Sequence, residues 1–598
     1  MWASLVLAVL AVGLWSRVLV RRSGALLAAL CVTIEFALLV AYAAIDRLTG
    51  SGIDASVVYH LQTGLDGAGI GAFSGLAVAT GAGLLAAVGA GFVTFRLIRA
   101  TPLAGYAMPR LLGGVALLAG ALAVNPAVGD LRRLLESGLS QSAAELGPVP
   151  AGFVPVESAA FAGTPRNFVL LYLESVERSY LDETRFPGLM PNLRALEGEA
   201  VSFTDLTEVE EAGWTIAGMV ASQCGMPLIG SGAGFDRFLP GATCLGDLLD
   251  TEGYDLAYVG GADLGFAGKG TFYDSHHFDL VEGRTQLEPR LADPAYVNEW
   301  GLFDDSLYPQ AIQRFDALAK GDAPFGLVML TLDTHHPFGF PSQSCADQPY
   351  GDGTNQFLNA VHCADRLAAE FIRHIRLDPA FKDTVLVVAS DHLAMPNLAE
   401  DLLNAGPRRN LLMVFAPDLP PALIGKPGTT LDLGPTLLSL IGSPTPALGF
   451  GRDLLADAPS LRAAEPGLEE RIAAGRGYLA AMWSFPKITG GIAVDQAAGE
   501  VILDSRRLKY PLLLRLDDGL EVTGIDFDLN SDLTLAEIVA TLPLDQKFLW
   551  LDACKKTEIY AAGPDAGAAG GAQDPNAGQQ ANANAKEEGE FVNFEEVK

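Results

Sequence analysis

Apolar positions along this chain fall into two regimes. Near the N-terminus they form four long runs, at 2–20 (WASLVLAVLAVGLWSRVLV), 24–44 (GALLAALCVTIEFALLVAYAA), about 71–95 and 111–128. Each approaches the roughly 20 residues that a helix needs to cross a bilayer. The first run has no basic start and is closed by Arg17, Arg21 and Arg22, which separates it from a cleavable signal peptide. The pattern therefore predicts about four membrane helices in residues 1–129. Basic residues gather between runs one and two and, as Arg96, Arg99 and Arg110, between runs three and four; the intervening loop carries Asp46, Asp54 and Asp66 against Arg47. Basic loops stay cytoplasmic, so the N-terminus and everything after residue 130 are expected outside. Glu35 falls inside the second run, where an acid either finds a buried partner or marks a shifted boundary.

Beyond a Pro/Gly/Ala-rich linker at 130–165 the apolar residues come in short bursts: NFVLLYLE (167–174), YDLAYVGG (254–261), GLVMLTLD (326–333), TVLVVASD (384–391) and LLMVFAP (411–417). Continuous apolar strands alternating with helical stretches predict an α/β domain over 166–456, built on a central, mainly parallel sheet covered on both faces. GIAVDQAAGEVILDS and YPLLLRLDDGLEVTGIDFD predict a small, mainly β appendage at 465–556. Residues 560–598 are low-complexity and lack the apolar residues to build a core, so they are expected to be disordered.

A formal net charge of −31 with no basic stripe excludes a nucleic-acid partner. Of six cysteines, Cys31 lies in an apolar run and Cys554 near the end; Cys224, Cys244, Cys345 and Cys363 lie in the part placed outside, where disulfides persist. The economical pairing is Cys224–Cys244 and Cys345–Cys363.

Three of the five strands end in an acid, Glu174, Asp333 and Asp391, and histidines follow two of them, in LDTHHPF (His335, His336) and ASDHLAMPN (His392). Ligands of open α/β sheets bind outside the carboxyl ends of the strands. Oxygen ligands with imidazole suit Mn²⁺, Mg²⁺ or Zn²⁺. In GWTIAGMVASQCGMPL (213–228), Thr215 opens a run of small and apolar residues able to form a helix. Its hydroxyl is either an N-cap or a nucleophile that a base or metal activates. The Gly, Ala and Ser of that run let some neighbour approach its backbone closely.

LYLESVE, EAGWTIAGMVASQCGMPL, LTLDTHHPFGF and ASDHLAMPN, in this order, resemble the bacterial phosphoglycerol transferase I family, related to lipoteichoic acid synthases, sulfatases and alkaline phosphatases. LDLGPTLLSLIG (431–442) and GFGRDLL (449–455) look like the closing signature of that superfamily. The resemblance implies an alkaline phosphatase/sulfatase-like fold, a catalytic threonine at Thr215, and one divalent metal, commonly manganese, held by Glu174, Thr215, Asp391 and His392. It implies that His335, with His336 as the weaker match, assists substrate binding or proton transfer. Lys269 in FAGKGTFY stands near where the synthases carry a phosphate-gripping arginine, and Trp214 is a wall of the site or a core residue. Sulfatases use a modified cysteine in C-x-P-x-R, which CGMPL does not match, so Cys224 reads as a half-cystine. Asp333 reads as a partner of a histidine or a strand-end cap, and His276 and His277 as cleft, packing or surface residues. His362 and His374 read as packing or solvent residues, Asn397 as a weaker candidate than Asp333, and Glu177 and Arg178 as a solvated face.

The implied reaction moves sn-glycerol 1-phosphate from phosphatidylglycerol to glucose units of an osmoregulated periplasmic glucan, releasing diacylglycerol. The implied place is the bacterial inner membrane, with the catalytic domain in the periplasm. A phosphoethanolamine transferase, a polyglycerol-phosphate synthase and a catalytically inactive membrane sensor are the alternatives.

Overall fold

The computed structural model describes residues 1–561 apart from 16–21, 66, 101–106, 140–147, 157–160, 162, 231–236, 465–466, 485–491, 496–498, 504–505, 518, 528–533, 544 and 553–556. Arg17, Arg21, Cys554 and residues 562–598 of the tail expected to be disordered lie outside the described residues, while 560–561 end a strand, Thr557–Ala561.

The N-terminal apolar runs are helical: α1 (Trp2–Trp15), α2 (Arg22–Thr49), α4 (Ser74–Ala100) and α5 (Ala107–Ala123), with α2 packed along α4 and α1 along α5. Two stretches, Gly24–Thr49 and Ile70–Arg99, are long and apolar enough to cross a membrane. The fourth run differs from expectation. Met108–Ala123 meets the next helix, α6 (Pro126–Leu139), at a bend of 64°, and only the pair together has the length of a span. Pro126 accounts for the break, since it has no N–H to continue the ladder, and Asn125 Oδ1 accepts from the Ala127 N–H at 3.0 Å to start α6. Glu35 is fully buried and accepts a hydrogen bond from Ser4 of α1, so the acid has a partner inside the bundle.

Between α2 and α4 the chain makes a short helix, α3 (Ala55–Thr63), whose first N–H groups are capped by Asp54, and then a 3₁₀ turn at Ile70–Phe73. This segment rests on the α/β domain. The Tyr59 hydroxyl donates to Ala267 O at 2.9 Å, and Ala68 and Phe73 pack into a cluster around Trp300.

The main sheet of the α/β domain has eight strands: β1 (Asn167–Leu173), β2 (Val201–Phe203), β3 (Asp255–Gly260), β4 (Leu280–Glu282), β5 (Phe325–Leu330), β6 (Thr384–Ser390), β7 (Leu412–Phe415) and β8 (Ala422–Ile424). Their order is β4-β3-β5-β1-β6-β7-β2-β8. The central pairs are parallel, with Leu170 of β1 opposite Val328 of β5 and Val387 of β6. β7 runs antiparallel to β6; the stretch joining them holds only a short helical turn, Glu400–Leu403, and no helix that could carry a parallel crossover. Successive residues of β1 enter opposite cores. Phe168, Leu170 and Tyr172 join Ile216 and Val220 on one face, and Val169, Leu171 and Leu173 join Leu193 and Phe371 on the other. Both faces are dry, which is why these strands read as unbroken apolar runs rather than alternating ones.

Of the segment expected as a β appendage from 465 onward, residues 468–483 form short helices, and Trp483 is buried in the α/β domain with its Nε1 donating to Ile229 O at 2.9 Å. Antiparallel sheets of three and four strands follow between Ile492 and Ala561. Cys224 pairs with Cys244 and Cys345 with Cys363, as expected.

Candidate active site

The carboxyl ends of the central strands deliver the acids and histidines to one place. β1 hands over to Glu174, β6 to Asp391 and His392, and the turn after β5 to His335 and His336. A helix, α7 (Thr215–Cys224), points its N-terminus at them, with Trp214 as N-cap and Thr215 as the first helical residue. Its small residues have a specific purpose. A Cβ on Gly218 would lie 2.0 Å from the carbonyl oxygen of Asp391, so the approaching neighbour is the end of β6.

Thr215 Oγ1 donates to Glu174 Oε2 at 3.4 Å. His392 Nε2 lies 3.5 Å from Glu174 Oε1 and 3.3 Å from Asp391 Oδ2. The ligand atoms of Glu174, Asp391 and His392 lie within 4.8 Å of one another, and all three residues are buried. Backbone geometry fixes them: Asp391 Oδ1 accepts from the N–H groups of Ser175 and His392, both at 2.8 Å, and the Glu174 N–H donates to Thr331 Oγ1 at 2.9 Å.

This donor set fits a divalent cation. His392 gives its Nδ1 proton to Leu393 O at 2.7 Å, which turns the lone pair of Nε2 toward two carboxylates. Asp391 Oδ2 is buried and has no hydrogen-bond partner. Acceptors facing acceptors in a buried site are matched by a positive charge, either a proton on His392 or a metal ion that displaces it. Titration shows the pull of the two carboxylates on such a charge. Burial opposes charge on His392, yet Asp391 and Glu174 overcome it and raise the imidazole to about 10. Burial and the neighbouring Glu174 push Asp391 well up. Burial also opposes ionisation of Glu174, but His335 and His392 outweigh it and hold the carboxyl below its usual range.

His335 and His336 line one side. His335 Nδ1 donates to His336 O at 2.9 Å, leaving Nε2 unprotonated in the neutral ring, and its ring lies 3.7 Å from that of Trp300. Burial lowers the pKa of both histidines, with Glu174 pulling each back toward the charged form. Lys269 is buried, with Nζ 3.0 Å from Phe266 O and 4.8 Å from the Phe266 ring centroid. Burial draws its ammonium down to about 8, while Glu174, Asp263 and Asp391 favour the charge. Trp214 is buried and its Nε1 has no partner.

Other residues fall elsewhere. Asp333 pairs with no histidine. Its N–H donates to Asp304 Oδ2 at 3.2 Å, and its carboxylate accepts from Ser342. His276 is buried beside the Cys224–Cys244 disulfide, with Nδ1 2.8 Å from Asp247, and His277 lies 3.8 Å from Asp247 and Asp250. His362 Nδ1 donates to Leu189 O, His374 is exposed, and Asn397 caps the Ala399 N–H. Glu177 corrects an expectation. It is fully buried rather than solvated, because Arg408 pairs with both its oxygens and the Ala394 N–H donates to it at 3.2 Å. Two contributors have no sequence signal that singles them out. Glu208 accepts from the Leu393 N–H next to His392, and burial lifts its carboxyl to about 7 against the pull of His392. Trp300 backs His335. A separate surface cleft of about 680 Å³ lined by Arg178, Arg185, Arg194 and Arg409 shares no residue with this cluster, and each of those arginines already pairs with an acid.

A hydroxyl at a helix N-terminus, facing an acid–imidazole cluster at the ends of parallel strands, defines a sulfatase/alkaline phosphatase-like domain, and the Sulfatase family matches residues 166–443. The N-terminal and middle domains of phosphoglycerol transferase I match residues 1–144 and 490–568. Phosphoglycerol transferase I of Xanthomonas campestris pv. campestris (strain B100) is 39% identical over 522 residues, covering 84% of this chain and 73% of its own. The protein of the same name from Salmonella choleraesuis is 35% identical over 527 residues, covering 86% and 67%. The chain belongs to the phosphoglycerol transferase I family. Among solved structures, a protein in the alkaline phosphatase superfamily from Vibrio parahaemolyticus is 24% identical, with a TM-score of 0.44 over 56% of this chain and 80% of that one. The homologues support a transferase, and two of this chain's N-terminal stretches are long and apolar enough to cross a membrane.

Proposed function

We propose that the protein transfers sn-glycerol 1-phosphate from phosphatidylglycerol to glucose units of an osmoregulated periplasmic glucan and releases diacylglycerol. Membership of the family supports the class of reaction. The single observation that carries the chemistry is Thr215 Oγ1 at 3.4 Å from Glu174 Oε2, at the edge of a cation-demanding cluster. Glu174, Thr215, Asp391 and His392 would hold one divalent ion, Mn²⁺ by resemblance and Mg²⁺ or Zn²⁺ otherwise, which would acidify the Thr215 hydroxyl and offset charge on the phosphoryl oxygens.

In the first step Thr215 Oγ attacks phosphorus, the bond from phosphorus to the diacylglycerol oxygen breaks, and a glycerophospho-threonine forms. The threonine proton ends on the departing oxygen. His335, whose Nδ1 is committed to His336 O, offers Nε2 to carry it. In the second step a glucan hydroxyl attacks the same phosphorus, its proton returns to Thr215 by the same route, and the Thr215 Oγ–phosphorus bond breaks. Lys269 supplies a positive charge for the phosphate and Trp214 and His336 supply walls. The catalytic domain faces the periplasm of a bacterial inner membrane, where lipid donor and glucan acceptor meet.

The test incubates purified protein, Mn²⁺ and glycerol-labelled phosphatidylglycerol with and without periplasmic β-glucan. Glucan-dependent release of diacylglycerol with label on the glucan is expected, and Thr215→Ala abolishes both. Full activity of Thr215→Ala would end the threonine mechanism; diacylglycerol without labelled glucan would remove the acceptor.

A further inference from the structure

The stretch between membrane helices α2 and α4 does more than tether. Tyr59 holds Ala267, in the turn that presents Lys269. The next residue, His60, places its ring 5.5 Å from that of Phe266, which also meets the Lys269 ammonium at 4.8 Å and the Trp300 ring at 5.6 Å. The same stretch reaches the catalytic histidines, because the Phe73 ring lies 5.6 Å from that of His336. Two buried ring nitrogens without partners, Trp214 Nε1 and His336 Nδ1, belong to rings that touch this stretch, through Tyr59 and Phe73. The site is therefore walled on one side by residues of the stretch between α2 and α4.

We propose that His60 and Lys269 together form the headgroup site for an anionic glycerophospholipid, with Lys269 taking the phosphodiester and His60 a headgroup hydroxyl. The inference rests on the lipid-donor reading above. Its chemistry follows from the tautomer. His60 Nδ1 donates to Ser56 O at 2.7 Å, and burial together with Lys269 favours the neutral ring, so Nε2 remains as an acceptor. An acceptor and an ammonium that both meet the Phe266 ring match a ligand carrying a hydroxyl and a phosphate on one headgroup. The esterified choline of phosphatidylcholine, which has neither a free hydroxyl nor an N–H, offers His60 nothing. Because α3 hangs between two membrane helices, a lipid headgroup leaving the bilayer meets His60 on its way to Thr215.

The experiment uses full-length protein carrying Thr215→Ala, so that ligand is not consumed, in detergent micelles. Short-chain phosphatidylglycerol and phosphatidylcholine are titrated separately and followed by tryptophan fluorescence. His60→Phe keeps the ring contact and removes the acceptor; His60→Ala is the second variant, and a melting curve for each shows which is folded. The expected result is about tenfold weaker binding of phosphatidylglycerol with unchanged binding of phosphatidylcholine, the scale of one lost hydrogen bond to a polar group. Equal loss for both lipids, loss for neither, or no preference for phosphatidylglycerol before mutation overturns the proposal. Diacylglycerol release by the unmutated protein is measured in parallel. A His60-dependent headgroup preference without release would sink the transfer reaction and keep the site, and release without that preference would do the reverse.

Discussion

Replacing Gly218 by alanine tests whether the packing of α7 on β6 sets the catalytic geometry. In an isolated helix the change would help, since alanine is favoured over glycine by about 1 kcal/mol. Here the new Cβ would sit 2.0 Å from the Asp391 carbonyl oxygen and 2.9 Å from its carbon, whereas real Cβ contacts essentially never fall below 3.0 Å. The obstacle is backbone and no side chain can rotate away, so the helix and the strand end must part by about 1 Å. Thr215 travels with the helix and Asp391 with the strand. Overpacking of this kind costs about 1–3 kcal/mol of stability, which exceeds the propensity gain, and a displacement of about 1 Å in a reacting group costs on the order of a hundredfold in rate. Diacylglycerol release from phosphatidylglycerol micelles and a thermal melt read the two effects separately. Gly477→Ala, in a helix where nothing lies within 4 Å of the new Cβ, serves as the control and retains activity. A Gly218→Ala protein with the turnover and melting temperature of the parent would refute the idea that this contact positions Thr215.

Three further outcomes follow from the charges. Lys269 is drawn down to about 8, so KM for the anionic donor should rise as the pH climbs through that value and the ammonium is lost; Lys269→Arg should remove this limb from an initial-rate profile. Chelation should abolish transfer and Mn²⁺ restore it. Saturating Mn²⁺, at a hundred times its Kd, should stabilise the parent by about 2.7 kcal/mol in a melt, and a similar shift in Asp391→Asn would contradict its role as a ligand. Burial raises Asp304 from 3.8 to about 7, so the folded state keeps a proton that the unfolded chain releases. The stability this proton confers is complete below about pH 4 and is lost as the pH rises to about 7; Asp304→Asn should flatten that slope in urea titrations, and an unchanged slope would exclude Asp304 as its source.

The legible part of this fold is the part whose signal is local. Strands such as TVLVVASD are buried on both faces, so the run announces itself and its terminal acid marks the strand end. GWT announced a hydroxyl at a helix start for the same reason. Glu208 was not legible, because TEVEEAGW offers three acids with no periodicity; burial singles out one, while Glu211 pairs with Arg476. Glu177 looked solvated because its partner, Arg408, is remote in sequence. The stretch from Asp54 to Phe73 showed only its charge, since a helix of nine residues whose apolar face meets a distant turn has no pattern of its own. The broken fourth span was written in Asn125-Pro126, where composition alone suggested continuity.

On the lipid-donor reading proposed above, the contact of Tyr59 with Ala267 has a kinetic consequence. A catalytic centre fastened to its own membrane helices would sample donor in two dimensions, so its rate would be set by the mole fraction of that lipid in the surface and not by its amount per volume. Diluting the donor with inert lipid slows such an enzyme even when the total donor is constant, while diluting the whole suspension leaves the donor step unaffected. The acceptor, arriving from the aqueous side, still follows ordinary bulk concentration. One active site thus answers to two different measures of abundance, and its output reports the composition of the bilayer that holds it.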